Sequence, residues 1–152
     1  MAMAQNRIYF CAAGSIYAIH GSLGELLWRH ELGSACPPEH GNVPVIADEE
    51  LFFGTSGPEG AFYSLDAGSG ELLWKRESRQ AGDVLSEAAD GMVYFSLDGN
   101  LAAARSATGE LAWTFDTEGH AVSSLILSKG VVYASAGDKI FAVRGSGQTD
   151  SP

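Results

Sequence analysis

Basic residues are scarce in this chain. Nine Lys and Arg stand against nineteen Asp and Glu, leaving a formal net charge of −10 at pH 7. Phosphate backbones are repelled by such a balance and counterion release cannot drive their binding, which excludes nucleic acid as a partner. Long apolar runs are lacking too. No stretch approaches the roughly 20 uninterrupted apolar residues of a membrane helix, and residues 1–10 hold neither a basic lead nor a long apolar core. The sequence therefore reads as neither membrane-inserted nor carrying a secretion signal. Cysteine is nearly absent: Cys11 and Cys36 lie in unlike local patterns and form no CxxC pair, so no disulfide framework is expected and the redox compartment stays open. What the chain does have is glycine, 19 of 152 residues, among 45% apolar residues. That mixture describes one folded, turn-rich domain.

Self-comparison exposes a repeat. Gly24-Glu25-Leu26-Leu27-Trp28 recurs as Gly70-Glu71-Leu72-Leu73-Trp74 and as Gly109-Glu110-Leu111-Ala112-Trp113, and these hold all three tryptophans. Upstream of each lies a second matched segment, Ile8-Tyr9-Phe10, Leu51-Phe52-Phe53 and Val93-Tyr94-Phe95, with a fourth copy at Val132-Tyr133-Ala134. Between them, short β-branched and aromatic runs alternate with Gly, Asp and Ser breaks, which is strand and turn chemistry. Four short strands per repeat of about 40 residues point to propeller blades, since stacked blades bury the apolar faces that an open hairpin array would expose. The predicted fold is all-β, a β-propeller array of four blades of four-stranded antiparallel sheet. The blades are expected at residues 1–32, 42–78, 84–117 and 122–145, with a tail at 146–152 that holds no apolar outer strand.

The frame Ser64-Leu65-Asp66-Ala67-Gly68-Ser69-Gly70-Glu71-Leu72-Leu73-Trp74 resembles the tryptophan-docking motif of the PQQ-like propeller family, which includes PQQ-dependent dehydrogenases and outer-membrane assembly lipoproteins. In that family the pattern is Ala-x-Asp-x-x-x-Gly-x-x-x-Trp. Ala18, Gly24 and Trp28 match it with His20 in the Asp place, and Ala103, Gly109 and Trp113 match it with Arg105 there. The resemblance implies that each indole stacks on the neighbouring blade's docking segment, so that Trp28, Trp74, Trp113, Gly24, Gly70 and Gly109 are structural. It also implies a parent propeller of seven or eight blades, of which these four would be the C-terminal half, and a periplasmic or extracytoplasmic setting.

Blade topology places the D–A and B–C connections on one face and the A–B and C–D turns on the other. The first face collects the longer, less repetitive loops, where binding groups on rigid scaffolds concentrate. The candidate binding face is accordingly Glu39, His40, Glu59, Arg79, Asp98, His120 and Asp138, with Asn42, Ser86 and Ser124 near the axis. Polar loop tips also serve plain solvation, the competing reading of each. No catalytic residue is nominated. Cys36 and His40 alone cannot complete a zinc site, Asp90-Gly91 and Asp98-Gly99 read as turns and not calcium loops, and neither a nucleophile elbow nor a phosphate loop occurs. The expected function is a non-catalytic scaffold or sensor module that binds a protein partner or the remaining blades of a parent propeller, with homodimerisation through its open ends as a further expectation. The alternative is a fragment of a PQQ-dependent alcohol or sugar dehydrogenase, with PQQ and calcium as cofactors. The adjacent cysteine pair that the resemblance would require for it is missing.

Overall fold

The computed structural model describes residues 1–33, 36, 44–55, 59–78 and 86–144. Four antiparallel sheets form, each ordered as in the chain. The first holds β1 (Ala2–Ala4), β2 (Arg7–Ala12), β3 (Ser15–His20) and β4 (Leu26–Glu31); the second β5 (Val45–Ala47), β6 (Glu50–Gly54), β7 (Ala61–Asp66) and β8 (Leu72–Glu77). The third holds β9 (Ser86–Ala89), β10 (Met92–Leu97), β11 (Asn100–Arg105) and β12 (Leu111–Phe115). The last comprises three described strands, β13 (Val122–Ser128), β14 (Val131–Ala136) and β15 (Lys139–Arg144). No described residue is helical. The fold is the propeller array that the repeat predicts, and the strands of each blade will be called A to D in chain order.

Tight hairpins set the registers. Asp90-Gly91 and Asp98-Gly99 each hold positive φ at both central residues, 55° and 72° in one and 50° and 80° in the other. Such two-residue turns twist in the sense of the flanking strands, which is why Asp-Gly reads as a hairpin. Each C–D junction of the first three blades carries a register shift, between Ala18 and Ile19, Ser64 and Leu65, and Ala103 and Ala104. The shift comes between the glycine of the motif and its tryptophan, and it re-aims the outer strand so that the indole faces the next blade.

Strand alternation then divides every blade into two apolar sides. In blade 2, Leu51, Phe53, Ala61, Tyr63 and Leu65 pack on Tyr9, Ile16, Ala18 and Trp28 of blade 1. The intervening Phe52 and Phe62 pack on Val93, Phe95, Ala102 and Ala104 of blade 3, with the Phe62 and Phe95 rings stacked at 4.1 Å. The third cluster joins Tyr94, Leu101 and Ala103 to Val122, Leu125, Val132, Ala134 and Val143. The core is thus three inter-blade layers. Along β15, Phe141 and Val143 belong to the third layer, whereas Ile140 stands outward, 78% exposed. The register explains it, because Phe141 pairs with the inward Ala134 and Ile140 with Ser135.

The structure adds a cross-link that the sequence did not imply. Cys11 and Cys36 form a disulfide, their Cα atoms 5.7 Å apart across 25 residues of sequence. Cys11 sits at the end of strand B beside the B–C turn, and the D–A connection must travel from the outermost strand of one blade to the innermost of the next. That path carries Cys36 over the ends of the middle strands. Nothing in either cysteine's local pattern records the crossing.

Candidate functional site

A residue just beyond the end of each outer strand begins the D–A connection and ties it down. At the position four beyond each tryptophan stand Leu32, Ser78 and Thr117. The Leu32 amide donates to Gly14 O at 2.9 Å and the Ser78 amide to Gly60 O at 2.9 Å. Thr117 Oγ1 lies 2.8 Å from Gly99 O and 2.6 Å from His120 O, close enough to donate to either. Each contact fastens the start of a D–A connection to the B–C turn of the same blade.

Candidate residues take up places on this face, at successive junctions. Ser78 Oγ donates to the Asp98 carboxylate at 3.2 Å, a bond from blade 2 to the B–C turn of blade 3. His120 lies over Gly137 of blade 4 so closely that a Cβ there would meet its Nδ1 at 2.8 Å. Lys139, next to Asp138, pairs with Glu118 across the same junction, and that hydrogen bond raises the lysine's pKa. Glu59 and Asp138 are exposed at the B–C connections of blades 2 and 4. Ser124, on strand A of blade 4, bonds Ser135 of strand B at 2.8 Å. Glu39, His40, Asn42 and Arg79 lie outside the described residues, as does the side chain of Ser86.

A depression of about 470 Å³ opens on this face beside Asp98, Gly99, Asn100, Thr114, Asp116 and Gly119. The Asp116 carboxylate accepts the Glu118 amide at 2.8 Å, which holds it in place. Two aspartates therefore rim the depression, and among the described residues that line it none is cationic. Asp116, Thr117 and Ser78 were missed in the sequence. A hydroxyl four residues after the tryptophan in two of three repeats was the available signal. Nearer the axis, strand A of blade 3 carries Glu87, whose burial raises its pKa. On the opposite face a second cavity, about 370 Å³, separates blades 1 and 2, with Arg7, Asp48, Glu49 and Asp66 in its wall. Asp66 is engaged there: it accepts Ser69 Oγ at 2.8 Å and the Ser69 amide at 2.7 Å. Those bonds, helped by Arg7, hold its carboxyl below the usual range.

The docking segments show their own geometry. Trp28 Nε1 donates to Ala67 O at 3.1 Å, and a Cβ on Gly70 would fall 2.5 Å from the indole. Trp74 Nε1 donates to Ser106 O at 2.5 Å with its ring over Gly109 in the same way. Arg76 adds a bond to Gly109 O at 2.5 Å. Trp113 packs on Tyr94 of its own blade, centroids 6.0 Å apart.

Comparison with known proteins gives consistent similarities. A family model described as outer membrane protein assembly factor BamB matches residues 12–150. No curated protein matches the chain. Among solved structures, BamB from Moraxella catarrhalis superposes with a TM-score of 0.74 at 19% identity, covering 97% of this chain and 48% of that one. The quinohemoprotein alcohol dehydrogenase ADHIIG from Pseudomonas putida HK5 gives 0.74 at 13% identity, covering 99% and 33%. The computationally designed Ika4 protein gives 0.76 at 20% identity, covering 92% and 87%. The chain thus spans about half of the BamB structure and a third of the dehydrogenase.

Proposed function

Because the chain belongs to the propeller family described as outer membrane protein assembly factor BamB, we propose that it is a non-catalytic binding module whose D–A/B–C face receives a cationic segment of a protein partner. The observation that carries this reading is the depression rimmed by Asp98 and Asp116 on loops clamped by Ser78 and Thr117. Anionic groups held on a rigid rim attract a basic segment and need no reorganisation when it arrives. The net charge of −10 adds a long-range field of the same sign.

The dehydrogenase likeness invites PQQ as an alternative occupant. Such a quinone is a tricarboxylate, and the described lining of the depression offers it two aspartates and no cation of its own, so the quinone would depend on a bound calcium ion for its charge balance. The cysteines of this chain are joined across 25 residues and are not neighbours in sequence. No reaction step is derived through that cofactor. The Cys11–Cys36 bond also supports an extracytoplasmic setting for the module, since structural disulfides persist in oxidising compartments.

Titration of the protein with a lysine-rich peptide and with its glutamate-rich counterpart tests the proposal. The basic peptide should bind, weaken as salt is raised from 15 to 150 mM on the order expected for screened charges, and lose affinity for Asp116→Lys. Tight, specific binding of PQQ with Ca²⁺ in isothermal titration would overturn it in favour of the dehydrogenase fragment.

A further inference from the structure

The cavity of about 370 Å³ between blades 1 and 2 opens among the A–B and C–D turns, on the face opposite the Asp98 and Asp116 depression. A small-molecule site typically measures about 300–1,000 Å³. Bonds across the blade junction fix its walls: Tyr9 Oη donates to Ala67 O at 3.0 Å, and the Ala67 amide donates to Glu49 O at 2.8 Å. Arg7 of strand B in blade 1 lines it, with Asp48 and Glu49 of the A–B turn and Asp66 at the end of strand C in blade 2. Arg7 Nη1 and Asp66 Oδ1 lie 3.7 and 3.2 Å from the point where a Cβ on Gly68 would be. A guanidinium and a carboxylate therefore border the same gap, which the missing side chain leaves open. Among the described residues the guanidinium makes no ion pair or hydrogen bond, and the carboxylates of Asp48 and Glu49 accept none.

The fold does not demand this grouping. Pairing registers match the places of Arg7, Asp48, Glu49 and Asp66 to Glu50, Asp90, Gly91 and Arg105 at the junction of blades 2 and 3. At the junction of blades 3 and 4 the same places hold Met92, Lys129, Gly130 and Arg144. Blades pack there without a cation set among three carboxylates. We propose that the cavity binds a free α-amino acid with a cationic side chain, of which lysine is the simplest. An α-carboxylate and an α-ammonium share one carbon, as Arg7 and Asp66 share one gap. The guanidinium takes the carboxylate through its forked N–H groups, and Asp66 accepts the ammonium. The Ser69 bonds keep Asp66 charged and in place for that contact. The side-chain cation meets Asp48 and Glu49, its methylenes running along Ile46 and Ala47. One guanidinium against three carboxylates leaves the wall acidic, which favours a ligand with the extra cation and repels an acidic one.

The ¹⁵N-labelled full chain, titrated with L-lysine, cadaverine and Nα-acetyl-L-lysine, tests the proposal. L-lysine should shift the amides of Gln5, Arg7, Asp48 and Gly68, and should bind about tenfold more tightly than cadaverine, which lacks the carboxylate, or the acetylated form, which lacks the ammonium. Asp116→Lys should bind L-lysine as the native chain does, which separates this site from the one proposed for a basic peptide. Arg7→Gln should weaken lysine about tenfold and leave cadaverine no weaker. Asp48→Asn, at an exposed position whose left-handed φ of 49° asparagine tolerates, should weaken lysine while the melting temperature holds. Cadaverine or Nα-acetyl-L-lysine binding as tightly as lysine would overturn the proposal. So would shifts confined to residues 98–100 and 116–119, no shift up to the solubility limit, or native affinity in both Arg7→Gln and Asp48→Asn.

Discussion

At the scale of single residues, the tryptophan and its glycine act as one unit. Trp28 and Trp74 reach the next blade only because the residue beneath them lacks a Cβ, and their N–H groups find backbone carbonyls there. Trp74→Ala should cost about 3 kcal/mol or more in denaturant unfolding, the range for deleting a large packed aromatic. Gly70→Ala should be far worse than Gly24→Ala: both force a left-handed alanine, at about 1–2 kcal/mol, but at Gly70 the new Cβ also collides with the Trp28 ring. Equal losses in melting temperature would mean that the ring has room to retreat. The Asp place of the motif matters differently. Asp66 bonds Ser69 and has a depressed pKa, whereas His20 does a similar job by accepting the Leu23 amide at 3.3 Å. A carboxyl whose folded pKa lies below its unfolded value stabilises in its charged form above that range, and the contribution fades as pH falls through the folded value. Acid titration of the melting temperature below about pH 4 should therefore be shallower for Asp66→Asn than for the native chain.

At the scale of elements, blade 2 is the pattern that its neighbours approach. Its two middle strands are almost wholly buried because both sides are covered, one by the Tyr9 and Trp28 layer and one by the Val93 and Phe95 layer. Phe62→Ala removes a ring stacked on Phe95 at 4.1 Å and should destabilise by about 3–5 kcal/mol, read as a fall in the denaturant midpoint. The D–A connections depend on other fastenings. The Cys11–Cys36 bond closes a loop over a separation of 25 residues, and a cross-link of that span contributes roughly 3 kcal/mol by limiting the unfolded chain. Thermal melts with and without a reducing agent should show that loss, and Cys11→Ser with Cys36→Ser should melt like the reduced protein.

At the scale of the whole molecule, nearest-neighbour interfaces supply the stability of a stacked array, so the two outermost sides are where the design is open. Leu26 at 60% and Met3 at 74% exposure mark one side, Ile126 at 62%, Tyr133 at 43% and Ile140 at 78% the other. Apolar surface of this kind, beside β15 as the outermost described strand of its sheet, favours association. One charge on each side, Leu26→Glu with Ile140→Lys, should reduce concentration-dependent light scattering without lowering the melting temperature, because neither residue is packed within the chain.

Much of this was legible before any coordinates. The recurrence of the Gly-x-x-x-Trp frame and of the aromatic triplets determined the strand count, the blade order and the hairpin turns, because each depends on residues a few positions apart and on backbone conformations that Gly and Asp-Gly announce. Contacts between distant segments were not written there. The Cys11–Cys36 bond depends on where a D–A connection crosses its own blade, and the inward aim of Phe141 and Val143 depends on a pairing register. Only packing showed Asp98 and His120 in inter-blade contacts and Asp116 beside the depression. The same holds for the docking glycines: Gly24, Gly70 and Gly109 share the Gly-Glu-Leu start of their frames, and only the tertiary structure shows that Gly70 and Gly109 lie under an indole, since that contact is a property of the neighbour and not of the residue.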